Sequence, residues 1–287
     1  MAQITVHKFG GASVRNAEAV RNVCEILKGF PENKIVIVSA MGKTTNALEI
    51  IHSKRFEGKN FDQEIQEIFD FHFNIAKELK VDSDTDWVCV FDNLSQTCNQ
   101  NISGSFDAEY DCIIGFGEYL STAIVNAYLN KNNLSAKRLN SADYVVTDSR
   151  FRDARVLWEM SEQRVASLQN EFQSHSTLVL QGFIGSSKDL SKNLSTHLTS
   201  LGREGSDFSA AIFAYLLNAE SVTIWKDVPG LLNADPKCFE PTQLLREISF
   251  REAVELAYYG ASVIHPRTIK PLQNKNIPLY IKSFLNP

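Results

Sequence analysis

The chain has 287 residues, 44% of them hydrophobic and 22% charged, with a formal net charge of -5. That balance excludes a disordered, collagenous or coiled-coil chain and argues against general nucleic-acid binding. Five widely spaced cysteines with no C-x-x-C pair fit the reduced thiols of a cytoplasmic protein, and with neither a leader nor a long apolar run in view no membrane segment is expected.

In chain order, residues 4–6 form a short apolar run, Val20, Val23 and Leu27 recur at helical spacing, and 34–38 are β-branched, so the chain opens as strand, helix, strand. The first junction carries Lys8, Gly10 and Gly11. Glycine lets backbone approach a ligand closely, N–H groups at a helix start favour an anion, and Lys8 adds a mobile positive charge. The pattern is a phosphate cradle in composition, although no GK[ST] follows a four-residue spacer as a P-loop requires. The second strand leaves through a small polar loop, 39–46, into another helix.

Residues 62–101 read as two helices joined by an acidic turn at 82–86, with their aromatic side chains in the core. A further helix opens at 113–118 with Glu118 near its start. Short strands are expected at 136–139 and 144–146, a helix at 161–172, and a clear strand at 177–181. A polar loop or hairpin tip follows at 186–193, then residues 197–201. The segment 202–207 feeds a strongly helical stretch, 208–217, and 221–225 is a strand. Ser249 and Glu252 form a capping box for another helix, with Gly260 as its stop, and 277–282 is the last strand. Ten of the fourteen glycines (10, 11, 42, 115, 117, 182, 185, 202, 205 and 230) fall at proposed strand exits, where open α/β sheets gather ligands.

If those exits converge, Lys8, Gly10 and Gly11 hold phosphate oxygens, Ser39 and Thr45 offer hydroxyls, Glu118 offers a carboxylate for an ammonium, Arg203 a fork for a carboxylate, and Asp207 orients Lys8 or binds Mg²⁺. Such a set suits phosphoryl transfer, which depends on positioning and charge neutralisation. A carboxylate acceptor, with a free pKa of about 4, needs no general base. Singly, each residue has a plainer explanation: Glu118 and Asp207 as partners of helix dipoles, Arg203 with Glu204 as a surface pair. The six histidines show no metal-ligand spacing.

The stretches KFGGASV (8–14), VSAMGKTTNAL (38–48), GFGEYLST (115–122), QGFIGS (181–186), TSLGREGSDFSAA (199–211), WKDVPGLLNADPK (225–237) and YYGASVIHPRTI (258–269) together resemble the aspartate kinase family, within the wider amino acid kinase superfamily. The resemblance implies a three-layer α/β/α sandwich with an open, mainly parallel central sheet. It implies an amino-acid-binding lobe at about 1–200 and a nucleotide-binding lobe at about 201–287. The implied reaction moves the γ-phosphoryl group of MgATP to the side-chain carboxylate of L-aspartate, the first step towards lysine, threonine and methionine, in a cytoplasmic homodimer. By the family pattern Lys8 and Asp207 are catalytic, and Ser39, Thr45, Glu118, Arg203, Gly205 and Ser206 hold aspartate in a pocket shaped by Phe183. Lys8, Gly10, Gly11, Asp227, Leu232 and Lys237 serve the nucleotide.

Three departures stand out. Ala12 replaces a common threonine, and Ser262 stands where many members carry a phosphate-binding lysine. Lys226, at a position often threonine, is expected to supply the lost charge, which puts Lys226 and Ser262 in the nucleotide site. The chain also stops where family members commonly continue into ACT domains. The alternatives are a related kinase acting on glutamate or N-acetylglutamate, and a nucleotide-binding homologue without catalysis.

Overall fold

The computed structural model describes residues 3–102, 104–188, 196–234, 238–239, 241–258 and 263–287. Its central feature is a six-stranded sheet in the order β3-β5-β2-β1-β8-β9. The strands are β1 (Ile4–Phe9), β2 (Asn33–Val38), β3 (Ala136–Arg138), β5 (Thr177–Gln181), β8 (Ser221–Lys226) and β9 (Leu279–Ser283). All their pairings are parallel: β1 aligns Lys8 with Ile37 of β2 on one side and with Ile224 of β8 on the other. Parallel strands need crossovers and are covered on both faces, so β2 and β5 read as near-continuous apolar runs and are buried almost throughout.

The crossovers are helical: α1 (Ala17–Lys28), α2 (Thr44–Phe56), α3 (Asp62–Leu79), α4 (Thr85–Asn99), α5 (Phe106–Ile114), α6 (Phe116–Lys131), α7 (Trp158–Val165), α8 (Leu168–Glu171), α9 (Gly205–Leu217), α10 (Phe250–Tyr258) and α11 (Pro266–Lys275). Two cores result, one per sheet face. Alternation along β1 divides its side chains between them: Ile4 and Val6 join Phe208, Ile212 and Phe213 of α9, whereas Phe9 joins Leu120 and Ile124 of α6. Phe9 also stacks on Trp225 across β8, 5.9 Å between ring centres. Beside the main sheet lies a small one in the order β4-β6-β7, with β4 (Val146–Thr147) parallel to β6 (Ile184–Lys188) and β6 antiparallel to β7 (Thr196–Ser200).

Several sequence expectations need correction. Ile113 and Ile114 end helix α5, so Gly115 and Gly117 mark a helix-to-helix junction and not a strand exit. Helix α11 was not expected. The run Phe106–Lys131 is, contrary to expectation, long and apolar enough by length and composition to cross a membrane, but 67% of its apolar window is packed inside the protein. The expected helix stop at Gly260 lies outside the described residues; the capping box stands, with Ser249 N–H donating to Glu252 at 2.8 Å and Glu252 N–H to Ser249 Oγ at 3.2 Å.

Candidate active site

The chain leaves β1 towards β2 on one side while β8 lies on the other, so the carboxyl end of β1 is where the strand order diverges and a crevice forms. There the first two exits are tied together: Ser39 N–H donates to Phe9 O at 3.1 Å and Gly42 N–H to Gly11 O at 3.2 Å. A Cβ on Gly11 would stand 2.7 Å from Ala40 O, so only glycine permits this approach. Gly10 faces the amine it serves, since a Cβ there would lie 3.3 Å from Lys8 Nζ.

A cleft of about 240 Å³ opens over these exits, lined by Lys8, Ser39, Thr45, Glu118, Phe183, Gly202, Glu204, Gly205, Ser206 and Asp207. Lys8 reaches it from the α9 face of β1, and its Nζ lies 2.5 Å from Asp207 Oδ1. Asp207 sits in the first turn of α9, where no side chain caps the helix, so its free N–H groups add positive potential to the cleft. Burial alone would push the Asp207 carboxyl up, but the ammonium groups of Lys8 and Lys226 outweigh it and hold the carboxyl below its usual range. Lys226 Nζ, at the end of β8, is 3.2 Å from Asp207 Oδ2 and 3.8 Å from Glu204 Oε2.

Glu118 enters from the opposite face of the sheet. It is fully enclosed, and one oxygen accepts the Ala40 N–H at 3.1 Å while Oε2 has no partner among the described residues. Burial pushes its carboxyl up to about 8, against the pull of the Ala40 N–H and of Lys8. An unpartnered buried carboxylate oxygen is costly. It fits a cationic ligand group. Phe183, the other wall, has a left-handed backbone, φ 68, and its N–H donates to Ser209 Oγ of α9 at 2.9 Å. Its ring lies so close to α9 that a Cβ on Gly205 would come within 2.7 Å of it.

Arg203 is the exception to the expected convergence. It is exposed and lines a neighbouring hollow of about 590 Å³ with Arg152, Asp153, Arg155, His265 and Arg267. Gly202 borders both cavities, so Arg203 stands at their common rim. Arg267 is a wall of the second hollow, its guanidinium donating to Asp153 at 2.6 Å, to Leu201 O at 2.8 Å and to Ala154 O at 2.9 Å. Among the nucleotide candidates, Lys226 adjoins the cleft through Asp207, Asp227 is exposed just beyond it, and Leu232 is half-buried and bridged to Leu244. Lys237 and Ser262 lie outside the described residues. Glu204, read as half of a surface pair, faces the cleft instead; its nearness to Arg203 in sequence concealed this.

This arrangement, an ammonium and helix start at the head of a parallel sheet beside an enclosed carboxylate, matches in extent what sequence comparison finds: the model of the amino acid kinase family covers residues 3–283. The chain belongs to that family. Among its relatives, aspartokinase 1, chloroplastic, of Arabidopsis thaliana is 33% identical over 98% of this chain and 50% of its own length. The bifunctional aspartokinase/homoserine dehydrogenase 1, chloroplastic, of Zea mays is 32% identical over 98% of this chain and 31% of its own. The crystal structure of E. coli aspartokinase III in complex with aspartate and ADP superposes with a TM-score of 0.87 at 28% identity, over 99% of this chain and 63% of that one. The chain thus spans between about a third and two thirds of the length of these relatives.

Proposed function

We propose that this chain carries an aspartate kinase activity, moving the γ-phosphoryl group of MgATP to the side-chain carboxylate of L-aspartate to give 4-phospho-L-aspartate and ADP. The observation that carries it is the cleft in which the Lys8–Asp207 pair and the unpartnered Glu118 oxygen face one space. The aspartate ammonium ion-pairs with Glu118, Ser39 and Thr45 hydrogen-bond the acid, Gly205 and Ser206 border it, and Phe183 closes its apolar side. Arg203 takes the α-carboxylate across the Gly202 rim. That the E. coli relative was crystallised with aspartate and ADP supports this pairing of ligands.

The nucleotide lies over the 201–287 half, its phosphates meeting Gly10, Gly11, Lys8 and Lys226, with Asp227 and Leu232 beyond and Lys237 and Ser262 assigned by resemblance alone. Mg²⁺ enters with ATP as part of the substrate. Among the described residues no group of three or more acidic, histidine or cysteine side chains could hold a resident metal. In the transfer, a carboxylate oxygen of aspartate forms the new bond to the γ-phosphorus while the bond to the bridging oxygen breaks, leaving its electron pair on ADP. No proton need move, because the acceptor is already ionised. Lys8 follows the charge on the transferring group, and Asp207 keeps Lys8 aimed.

An N-acetylated acceptor would bring no ammonium and leave Glu118 unpaired, which favours a free amino acid. A homodimeric assembly and a cytoplasmic location complete the proposal; the plant relatives are chloroplastic by name. Hydroxylamine trapping with MgATP and L-aspartate, L-glutamate or N-acetyl-L-glutamate tests the reading. A hydroxamate formed with aspartate supports it, and none with aspartate, or one with another acid alone, overturns it.

A further inference from the structure

Glu204 occupies a backbone conformation that disfavours any side chain. At φ 56 and ψ 25 it is left-handed, a region natural to glycine and strained for a residue with a Cβ. Glycine 202 and glycine 205 flank this turn, yet the strained position bears a long acid whose carboxylate lines the cleft. Strain of this kind persists where something is gained from the side chain.

The side chain faces both the Lys226 ammonium and the Asp207 carboxylate. The Lys226 ammonium lies 3.8 Å from Glu204 Oε2 and 3.2 Å from Asp207 Oδ2, while the other Asp207 oxygen holds Lys8 at 2.5 Å. Two ammonium groups and two carboxylates thus form a chain of alternating sign, Lys8, Asp207, Lys226, Glu204. Without Glu204, the only acid left to Lys226 among these groups is Asp207, the carboxylate that also aims Lys8.

We propose that Glu204 is a positioning residue: it shares the Lys226 ammonium with Asp207 and holds it beside the cleft, ready to exchange Glu204 for a nucleotide phosphate. Lysine has a flexible four-carbon stem, so a side chain already held in place loses less freedom when the phosphate arrives. Burial and the neighbouring Asp207 carboxylate push the Glu204 carboxyl up, against the pull of Lys226 and Lys8, and its longer contact, 3.8 Å against 3.2 Å, makes it the looser of the two partners of Lys226. This inference rests on the phosphoryl-transfer reading of the cleft and adds to it a role for a residue outside the expected set.

The test is a double-mutant cycle read by calorimetry of MgADP binding to the full chain, without acceptor. Glu204→Ala should weaken binding about fivefold, as expected for one immobilised long side chain, and Lys226→Met at least as much. The double variant should bind no worse than Lys226→Met, and Glu204→Gln, which keeps an oxygen for the amine, should recover most of the loss. Glu204→Gly, which relieves the backbone, should bind as weakly as Glu204→Ala while melting no lower than wild type. Additive losses, or tighter binding by Glu204→Ala, would overturn the proposal. Because MgADP binding needs no acceptor, the cycle can be read even if no aspartyl phosphate forms, which separates failure of this inference from failure of the substrate assignment.

Discussion

Lys8 Nζ and Asp207 Oδ1 are 2.5 Å apart, one on the central strand and the other in the first turn of the helix beneath it, with side-chain exposures of 10% and 1%. Lys8→Met removes the charge that follows the transferring phosphoryl group, so turnover should fall by about 10²-fold or more. The stability cost should stay below the ~3–5 kcal/mol of a broken buried pair, because Lys226 still faces Asp207 at 3.2 Å. Hydroxamate turnover and urea unfolding measure the two effects; turnover within threefold of wild type would remove Lys8 from the mechanism.

Glu118 should couple aspartate binding to proton release. Its carboxyl is raised from 4.5 to about 8 by burial, so in the free protein it is largely protonated at pH 7 and ionises when an ammonium arrives. Calorimetry in two buffers of different ionisation enthalpy should therefore show up to about one proton released per aspartate bound at pH 7. Glu118→Gln should abolish that release and weaken aspartate binding at least about tenfold.

The same shift has a sign for stability. A carboxyl whose pKa is higher folded than unfolded binds more protons in the native state, so the ligand-free protein loses stability as pH rises from about 4.5 to about 8. Glu118→Gln should flatten that part of the profile and be more stable than wild type at pH 8 without ligand.

His72 acts in the opposite direction on the acid side. It is fully buried in α3, bonded to Ile68 O at 2.8 Å, and burial pushes its pKa down to about 4. The unfolded chain binds the proton first, so stability drops as pH falls below about 6.5, by about 2 kcal/mol between pH 7 and pH 5 from this residue. His72→Leu should lose correspondingly less over that interval in urea titrations, whatever its stability at pH 7.

Gly182 and Gly58 provide a paired test of the cleft's geometry. A Cβ on Gly182 would fall 2.5 Å from Ser206 Cβ, whereas Gly58, at φ 65, has nothing within 4 Å. Gly182→Ala should displace the start of α9 and cost tenfold or more in kcat/KM, in the range of about 1 Å misplacements. Gly58→Ala should lower stability by about 1 kcal/mol from backbone strain and leave turnover unchanged.

Much of this fold was legible in the chain, and the misses have physical causes. Strands β2 and β5 announced themselves because a doubly covered parallel strand is apolar throughout. Helix α11 was hidden by Pro266 and Pro271: the first sits at the helix start, where its missing N–H is harmless, and both read as breakers. Lys8 and Asp207 could be placed together from the chain because a central strand and the start of a later helix meet at the sheet's carboxyl edge, and Glu118 joins them in one cleft from a helix junction that the chain had suggested as a strand exit. Arg203 and Glu204 could not be placed, since adjacent residues on a left-handed turn send their side chains to different cavities, a matter of one φ angle that no spacing reveals. Arg152, Arg155 and Arg267 come together only through the fold, from two segments more than a hundred positions apart.

The central claim is that one cleft holds both an amino acid and the phosphates of a nucleotide. A crystal structure of this chain grown with L-aspartate and MgADP tests it most directly. The account predicts the aspartate ammonium on Glu118, its side-chain carboxylate beside Lys8, its α-carboxylate against Arg203 turned in across Gly202, and the terminal phosphate near Lys8 and Lys226. Aspartate seated wholly in the arginine-lined hollow, with Glu118 still unpaired, would contradict it.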